Sequence, residues 1–418
     1  MTFPSTPAQP PAHPFDTACV HAGIGSADGE PLLTPLTAST TFCRDGVGSN
    51  PPHQYSRVSN PTVAALETTL GELESAPPAV AYGSGLAAIA GLLLAVVGQG
   101  DHVVCSRSAY GGTVRLLHQV LPGLGVETTF VDATDNASIR GAITPRTKLV
   151  FLETPANPTL EITDIRGAAA IAHEAGALVA VDNTFQTPIL QQPLELGADV
   201  SVYSTTKFIE GHSAAVGGSL TTRDGTLLER LRFIRKCTGA IQNPFNAWET
   251  LKGLKTLPLR IRRQSATAAD IAEWLAKRGE VSAVFHPSVL PAGRQRELAE
   301  AQHLGGARER HGAVVSFDLA GGVGATKAFC RALTLCRLVE HVGSSETLIT
   351  NPATMTHGDV PVEQREAVGI TDGLLRLSVG LEDPADIIAD LERGLRAASA
   401  ATEIARVDGE CEPCLTSV

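Results

Sequence analysis

The chain has 418 residues, with 43% hydrophobic and 18% charged content, enough for two or three domains with substantial cores. A formal net charge of −11 excludes a protein built around a basic nucleic-acid-binding face. The longest apolar run, Leu86 to Val97, has twelve residues, short of the ~20 that cross a bilayer, and no basic-then-apolar signal opens the chain. No membrane or nucleic-acid partner is expected, and the expected location is cytoplasmic.

Five prolines fall within the first fourteen residues, which read as a disordered leader. Residues 1–65 as a whole are rich in Pro, Gly, Ser and Thr, lack periodicity, and predict an extended N-terminal arm. From 66 onward helical and strand patterns alternate. Leu66–Leu73 predicts a helix, Ala79–Ala81 a short strand, Leu86–Val97 a buried helix and His102–Cys105 a strand. Gly112–Leu121 predicts a helix, Val126–Val131 and Lys148–Glu153 strands, Gly167–Ala175 a helix and Leu178–Asp182 a strand. Near-continuous apolar strands separated by helices imply an α/β fold, with a mainly parallel sheet covered on both faces. After Leu254 a long helical stretch, amphipathic over Ala268–Ala276, leads into a second α/β region. There Ala313–Phe317 predicts a strand and Ile388–Ala397 a closing helix. The division expected is therefore an arm over 1–65, a large domain over 66–260, and a smaller C-terminal domain over 261–418 ending in a disordered tail.

The eight cysteines have no regular spacing, so reduced thiols are the default. Cys411-Glu412-Pro413-Cys414 has a CxxC spacing, but a zinc site needs further ligands, and no metal is expected.

Two strand ends carry chemistry. Leu178–Val181 ends in Asp182, and Val200–Tyr203 runs into Ser204-Thr205-Thr206-Lys207. Ligands of parallel sheets bind beyond the carboxyl ends of the strands. A lysine there can form an imine with the aldehyde of pyridoxal phosphate, hydroxyls can bind its phosphate, and an aspartate can keep its ring nitrogen protonated. Tyr82-Gly83-Ser84-Gly85 lies between a strand and the Leu86 helix, where backbone N–H groups meet an anion at the positive helix end. Gly83-x-Gly85-x-x-Ala88 also satisfies a loose dinucleotide fingerprint. That fingerprint wants an acid at the end of the next strand, and here that strand ends in Cys105-Ser106-Arg107.

Taken together, the residues resemble the pyridoxal-phosphate trans-sulfuration family, which includes cystathionine γ-synthase, cystathionine γ-lyase and methionine γ-lyase. The matching segments include Tyr55-Ser56-Arg57, Gly83-Ser84-Gly85-Leu86, Tyr110-Gly111-Gly112-Thr113 and Glu153-Thr154-Pro155-Ala156-Asn157-Pro158. Val181-Asp182-Asn183-Thr184, Tyr203–Lys207, Pro352–His357 and Leu375-Arg376-Leu377-Ser378 continue the match, which runs from about 16 to 398. The resemblance implies an aspartate-aminotransferase-like fold (fold type I), a small amino-acid substrate, and a homotetramer built from catalytic dimers. It implies that Tyr55 and Arg57 reach the cofactor phosphate of the neighbouring subunit. Gly85 and Leu86 would cradle the phosphate by backbone N–H, with the hydroxyls of Ser204 and Thr206. Asp182 would hold the ring nitrogen and Asn157 would contact the ring hydroxyl. Lys207 would shuttle protons, Tyr110 would stack on the ring and protonate the departing γ group, and Arg376 would bind the substrate carboxylate.

Within the family, Arg115 stands where cystathionine-processing members carry an arginine suited to a distal carboxylate. Glu346 matches the synthase and γ-lyase pattern in Ser345-Glu346-Thr347-Leu348, with Thr347 in place of a family serine, and both are expected at the substrate. Methionine γ-lyases carry a cysteine where this chain has Gly112. The family's His-Ser-Asp after the lysine loop is His212-Ser213-Ala214 here, and its Pro-Ser-His-Pro stretch is replaced by Leu290–Arg294. The expected reaction is elimination of a γ-substituent from a four-carbon L-amino acid. The alternatives are γ-replacement by a thiol, or a lyase acting on an unusual, for example halogenated, amino acid of specialised metabolism.

Overall fold

The computed structural model describes residues 15–25, 28–356, 358 and 362–409. The predicted leader, His357, and the Cys411 and Cys414 of the tail lie outside the described residues. Seven strands form the larger sheet: β1 (Val80–Tyr82), β2 (His102–Ser106), β3 (Glu127–Val131), β4 (Thr147–Glu153), β5 (Leu178–Asp182), β6 (Val200–Tyr203) and β7 (Gly218–Thr221). Their spatial order is β1-β7-β6-β5-β4-β2-β3. The neighbours from β3 to β6 pair in parallel, and β7 alone runs against them, between β6 and β1. Alternate residues of each strand feed the two faces. Val103, Leu149, Phe151 and Ala180 pack with helices Gly85–Val96 and Gly225–Thr238 on one side. Val104, Val150, Leu152, Val179 and Val181 pack with helix Ile165–Glu174 on the other.

Helix starts follow their caps. Asn60 accepts from Thr62 N at 2.9 Å just before Pro61, and Ser84 accepts from Ala87 N at 3.1 Å to open Gly85–Val96. The predicted helix over Gly112–Leu121 begins at Gly111 and widens to i→i+5 bonding over Leu116–Val120, then tightens at Leu121–Leu124. The arm is less irregular than its composition predicts. Phe15, Ala18, Cys19 and Ala22 sit at helical spacing on a segment that is helical over Phe15–Val20, and they join the core around Leu66, Leu251 and Ile261.

A second sheet of five strands has the order β10-β11-β12-β9-β8, formed by β8 (Val281–Phe285), β9 (Val314–Leu319), β10 (Arg337–Leu338), β11 (Leu348–Thr350) and β12 (Leu374–Ser378). It is antiparallel except at its β10–β11 edge. Helix Leu257–Leu275 gives Leu257 and Ile261 to the core of the larger unit, and Ala268, Ile271 and Leu275 to that of the smaller one. It therefore ties the two sheets together near the domain boundary read from sequence.

Candidate active site

Beyond the carboxyl ends of β4, β5 and β6, facing β12, lies a cavity of about 660 Å³. Glu153 and Asp182 are register partners at the ends of adjacent parallel strands, and Tyr203 leads directly into the loop that carries Lys207. Topology thus delivers two acids and the lysine to one floor. Lys207 is pulled down from 10.5 to about 8, first by burial and then by the charge of Arg376. A lysine so shifted is closer to a neutral amine at physiological pH.

Asp182 is held by Thr184, whose N–H and hydroxyl both donate to Oδ1 at 3.0 and 2.6 Å. Among the described residues Oδ2 takes no side-chain partner. Glu153 accepts backbone N–H groups from Tyr110 at 2.6 Å and from Asn157 at 3.1 Å. Burial raises both carboxyls, and the negative charge of Asp182 pushes Glu153 further, well above the usual range. Two buried neighbouring carboxyls favour keeping a proton between them, and a cation set against Asp182 would release it.

Arg376, on β12, is 4% exposed. It donates to Asn157 Oδ1 at 2.8 Å, to Thr350 Oγ1 at 3.2 Å and to the His341 carbonyl at 3.3 Å. Its Nε is buried without an acceptor among the described residues. Burial lowers it to about 10, so it stays cationic at neutral pH and suits an incoming carboxylate.

The opposite wall is the start of helix Gly85–Val96. A Cβ on Gly85 would stand 2.8 Å from Ser204 Cβ, and one on Gly218 would stand 2.3 Å from the Ser84 carbonyl. Only glycine lets the helix N-terminus, β7 and the lysine loop meet so closely. The result is a cradle of free first-turn N–H groups at Gly85 and Leu86 beside Ser204 and Thr206, all lining the cavity. Thr206 Oγ1 also bridges to Gly217, donating to its carbonyl and accepting its N–H, each at 3.0 Å. An anion cradle at one end, a held carboxylate with a spare oxygen at the floor, and a depressed lysine between them fit pyridoxal phosphate.

The residues expected from sequence separate into three groups. Lys207, Asp182, Tyr110, Gly85, Leu86, Asn157, Ser204, Thr206, Arg115 and Arg376 all line the cavity. Tyr55 and Arg57 do not. Tyr55 is 46% exposed, and Arg57 lies over its ring while donating to the Lys236 carbonyl at 2.7 Å. Glu346 and Thr347 are also not brought there, contrary to their expected place at the substrate. Thr347 turns inward, bonding Glu382 through its N–H and its hydroxyl, both at 2.7 Å, and Glu346 accepts from Ser344 and Ser345. The acid that does line the cavity from this stretch is Glu340, with His341 next to it. Sequence reading did not single out these two, nor Glu153 as a site residue. No motif marks Glu340 and His341, and Glu153 was visible as a strand end and as the first residue of a matching segment, with no role attached.

The family model for the Cys/Met metabolism PLP-dependent enzymes matches residues 16–396. The chain is 41% identical over 382 residues to the cystathionine gamma-lyase of Bacillus subtilis, covering 91% of this chain and 98% of that one. It is 44% identical over 382 residues to the cystathionine gamma-synthase of Mycobacterium tuberculosis, covering 91% and 96%. Among solved structures it resembles the cystathionine gamma synthase of Xanthomonas oryzae pv. oryzae in complex with aminoacrylate and cysteine. That likeness has a TM-score of 0.89 at 40% identity and covers 93% of this chain and 99% of that one. With the match spanning both sheets and the cavity between them, the chain belongs to the Cys/Met metabolism family of PLP-dependent enzymes and has its type I fold.

Proposed function

We propose that the protein eliminates a γ-substituent from a four-carbon L-amino acid, in the manner of a cystathionine γ-lyase. The convergence of Lys207, Asp182 and the buried Arg376 on one cavity, with Tyr110 at its rim, carries this reading. Pyridoxal phosphate supplies an electron sink that makes the substrate's Cα proton removable. The backbone N–H groups of Gly85 and Leu86, with Ser204 and Thr206, hold its phosphate. Asp182 keeps its ring nitrogen charged, and Asn157, fixed through Glu153 and Arg376, contacts its ring hydroxyl. Arg376 binds the α-carboxylate with a planar fork that fixes the substrate's orientation. Lys207 moves protons at Cα and Cβ, and Tyr110 protonates the departing group. Arg115, exposed at the mouth, meets a distal carboxylate.

Tyr55 and Arg57 serve a neighbouring subunit's phosphate in a homotetramer located in the cytoplasm. Their exposure away from this chain's own cavity supports that role. The division into an arm, a 66–260 domain and a 261–418 domain belongs to the same reading.

A second reading, replacement of the γ group by a thiol, draws support from the 44% identity to a synthase. The two diverge only after the γ group has left. The test incubates the enzyme with cystathionine, O-acyl-homoserines with and without cysteine, and γ-halogenated amino acids. Ketoacid and ammonia formed without added thiol support elimination, whereas product only in the presence of thiol assigns replacement. The wild-type chain should also carry the visible absorbance of a lysine-linked cofactor, and Lys207→Ala should lose it.

A further inference from the structure

Lys207 Nζ lies 3.2 Å from His341 Nδ1, a contact between residues 134 positions apart in sequence. The two loops are locked together around it. A Cβ on Gly343 (φ +84) would stand 2.4 Å from Phe208 N and 2.6 Å from the Lys207 carbonyl carbon, so the His341–Gly343 segment lies directly against the lysine loop. Gly343 N–H is held by Ser378 Oγ at 2.8 Å, and Ser213 donates to Ser344 at 3.1 Å. On the other side, the Val339 carbonyl accepts from Thr350 at 2.6 Å, and the His341 carbonyl accepts from Arg376 at 3.3 Å. The imidazole is thus placed by the same strands that place the carboxylate-binding arginine.

We propose that His341 is a positioning residue for Lys207. Its Nδ1 accepts an N–H from the lysine amino group whenever that group is not bonded to the cofactor, aiming the amine at the substrate's Cα proton and strengthening it as a base. This rests on the reading of Lys207 as the cofactor lysine.

The ring chemistry agrees. Burial lowers His341 to about 4, and the positive charges of Lys207 and Arg376 add to it, so the imidazole is neutral. A neutral imidazole has one donor and one acceptor nitrogen, and an ammonium can only donate, which assigns the proton to Nε2 and the lone pair to Nδ1. Nε2 is buried without a partner among the described residues, so no second contact there opposes this tautomer. The other charged or titratable groups lining the cavity are Glu340, Arg376, Asp182, Glu153, Tyr110 and Arg115. In the proton-transfer step the Cα–H bond breaks, its electron pair stays with the substrate, and the proton forms the third N–H of Lys207. A charge-assisted bond to Nδ1 favours that ammonium. It opposes burial and Arg376, which both disfavour it. His341 forms no covalent bond.

The test compares the wild type, His341→Ala and His341→Asn, whose amide oxygen stands near the position of Nδ1. Lys207 acylation by an amine reagent is followed against pH in the full chain stripped of cofactor. Exchange of the substrate's Cα proton with solvent is followed in the cofactor-loaded enzyme. His341→Ala should lower the pH midpoint of Lys207 by about one unit and slow Cα exchange by about tenfold. His341→Asn should restore most of both. An unchanged midpoint and exchange rate in His341→Ala, or a change confined to KM, overturns the proposal. A wild-type chain without lysine-linked absorbance overturns the cofactor-lysine reading instead, and this proposal with it.

Discussion

At the scale of single residues, Gly112 decides where Tyr110 sits. A Cβ there would stand 2.6 Å from Tyr110 Cε1 and 2.9 Å from Leu86 Cδ1, so the phenol ring rests on the bare backbone of Gly112 and against the helix that forms the phosphate cradle. Gly112→Cys brings its tightest contact onto the Tyr110 ring, at 2.6 Å against 2.9 Å to the tip of Leu86, and so shifts the ring outward. A displacement of about an ångström at a proton-donating group can cost up to about a hundredfold in rate. The expected outcome is a kcat reduced by tenfold or more with lysine-linked absorbance retained, measured on whichever substrate the wild type turns over. An unchanged kcat would mean that Tyr110 does not act from this position. Glu210 answers a second single-residue question. The family acid missing at Ala214 left the charge near the lysine loop open, and the structure supplies a buried acid three residues after Lys207. Glu210 is 1% exposed and accepts the N–H groups of both His212 and Ala214 at 3.1 Å, with Arg260 as its nearby cation. The loop is thus organised by a carboxylate within itself.

At the scale of elements, the seam between the two sheets holds three buried histidines with a consistent neutral hydrogen-bond chain. Gln186, just after β5, donates to His303 Nε2 at 3.4 Å and to the His311 carbonyl at 3.1 Å. His303 Nδ1 then faces His311 Nδ1 at 3.0 Å, and His286 faces the Gly312 carbonyl at 3.4 Å. Burial lowers His286 to about 3 and His311 to about 4, and puts His303 well below its usual value. The unfolded chain binds protons at these sites near pH 6.5 while the folded chain does not. Their contribution is therefore complete above that pH and lost as pH falls toward the folded values. Each histidine withdraws up to about 1.5 kcal/mol between pH 6.5 and 5. Buried Glu74, raised to about 7 mainly by burial, acts in the opposite sense, but equally in wild type and variant. Urea midpoints of the wild type and His303→Gln at pH 8 and pH 5 should show a shallower acid loss in the variant, by about 1 kcal/mol. Equal losses would assign acid sensitivity to other groups. None of this seam is legible in the sequence, and the reason is general. Asp182 and Lys207 are readable because each follows an apolar run that ends at a site-facing sheet edge. His341 meets Lys207, and His303 meets Gln186, only through chain crossings, and the eight-residue step from His303 to His311 fits no helical or strand period. Thr347 and Glu346 show the converse: their motif position points to the substrate, but the packing of Gly380 and Glu382 turns Thr347 inward, its hydroxyl accepting from Gly380 N at 2.9 Å. Strand β7, four residues beginning with glycine, and the two-residue β10 are too short for any periodicity to register.

For the whole molecule, the question is whether one chain makes a complete site. The cavity is lined by Lys207, Asp182, Arg376 and the helix start at Gly85 and Leu86, and the four residues of the cradle proposed for the phosphate, Gly85, Leu86, Ser204 and Thr206, carry no positive charge of their own. A phosphate dianion at a helix N-terminus usually takes a cationic partner as well. Arg57 is a cation on the part of the chain read as an arm and is not among the residues lining its own cavity, and Tyr55 beside it presents a ring 46% exposed. Exchange of this segment between two copies related by a two-fold axis would complete both cradles at once, because a two-fold interface is self-complementary. Complementation tests this directly. Arg57→Ala should retain Lys207 but bind cofactor weakly, and Lys207→Ala should retain the arm but lack the lysine, so each alone is nearly inactive. Unfolding, mixing and refolding the two variants in equal amounts should restore about a quarter of wild-type activity, since half of the random dimers are mixed and each of those has one intact site. The same mixture made with Arg57→Ala/Lys207→Ala in place of either parent should restore none. Full activity in Arg57→Ala alone, or no recovery on mixing two well-folded variants, would mean that each chain completes its own site.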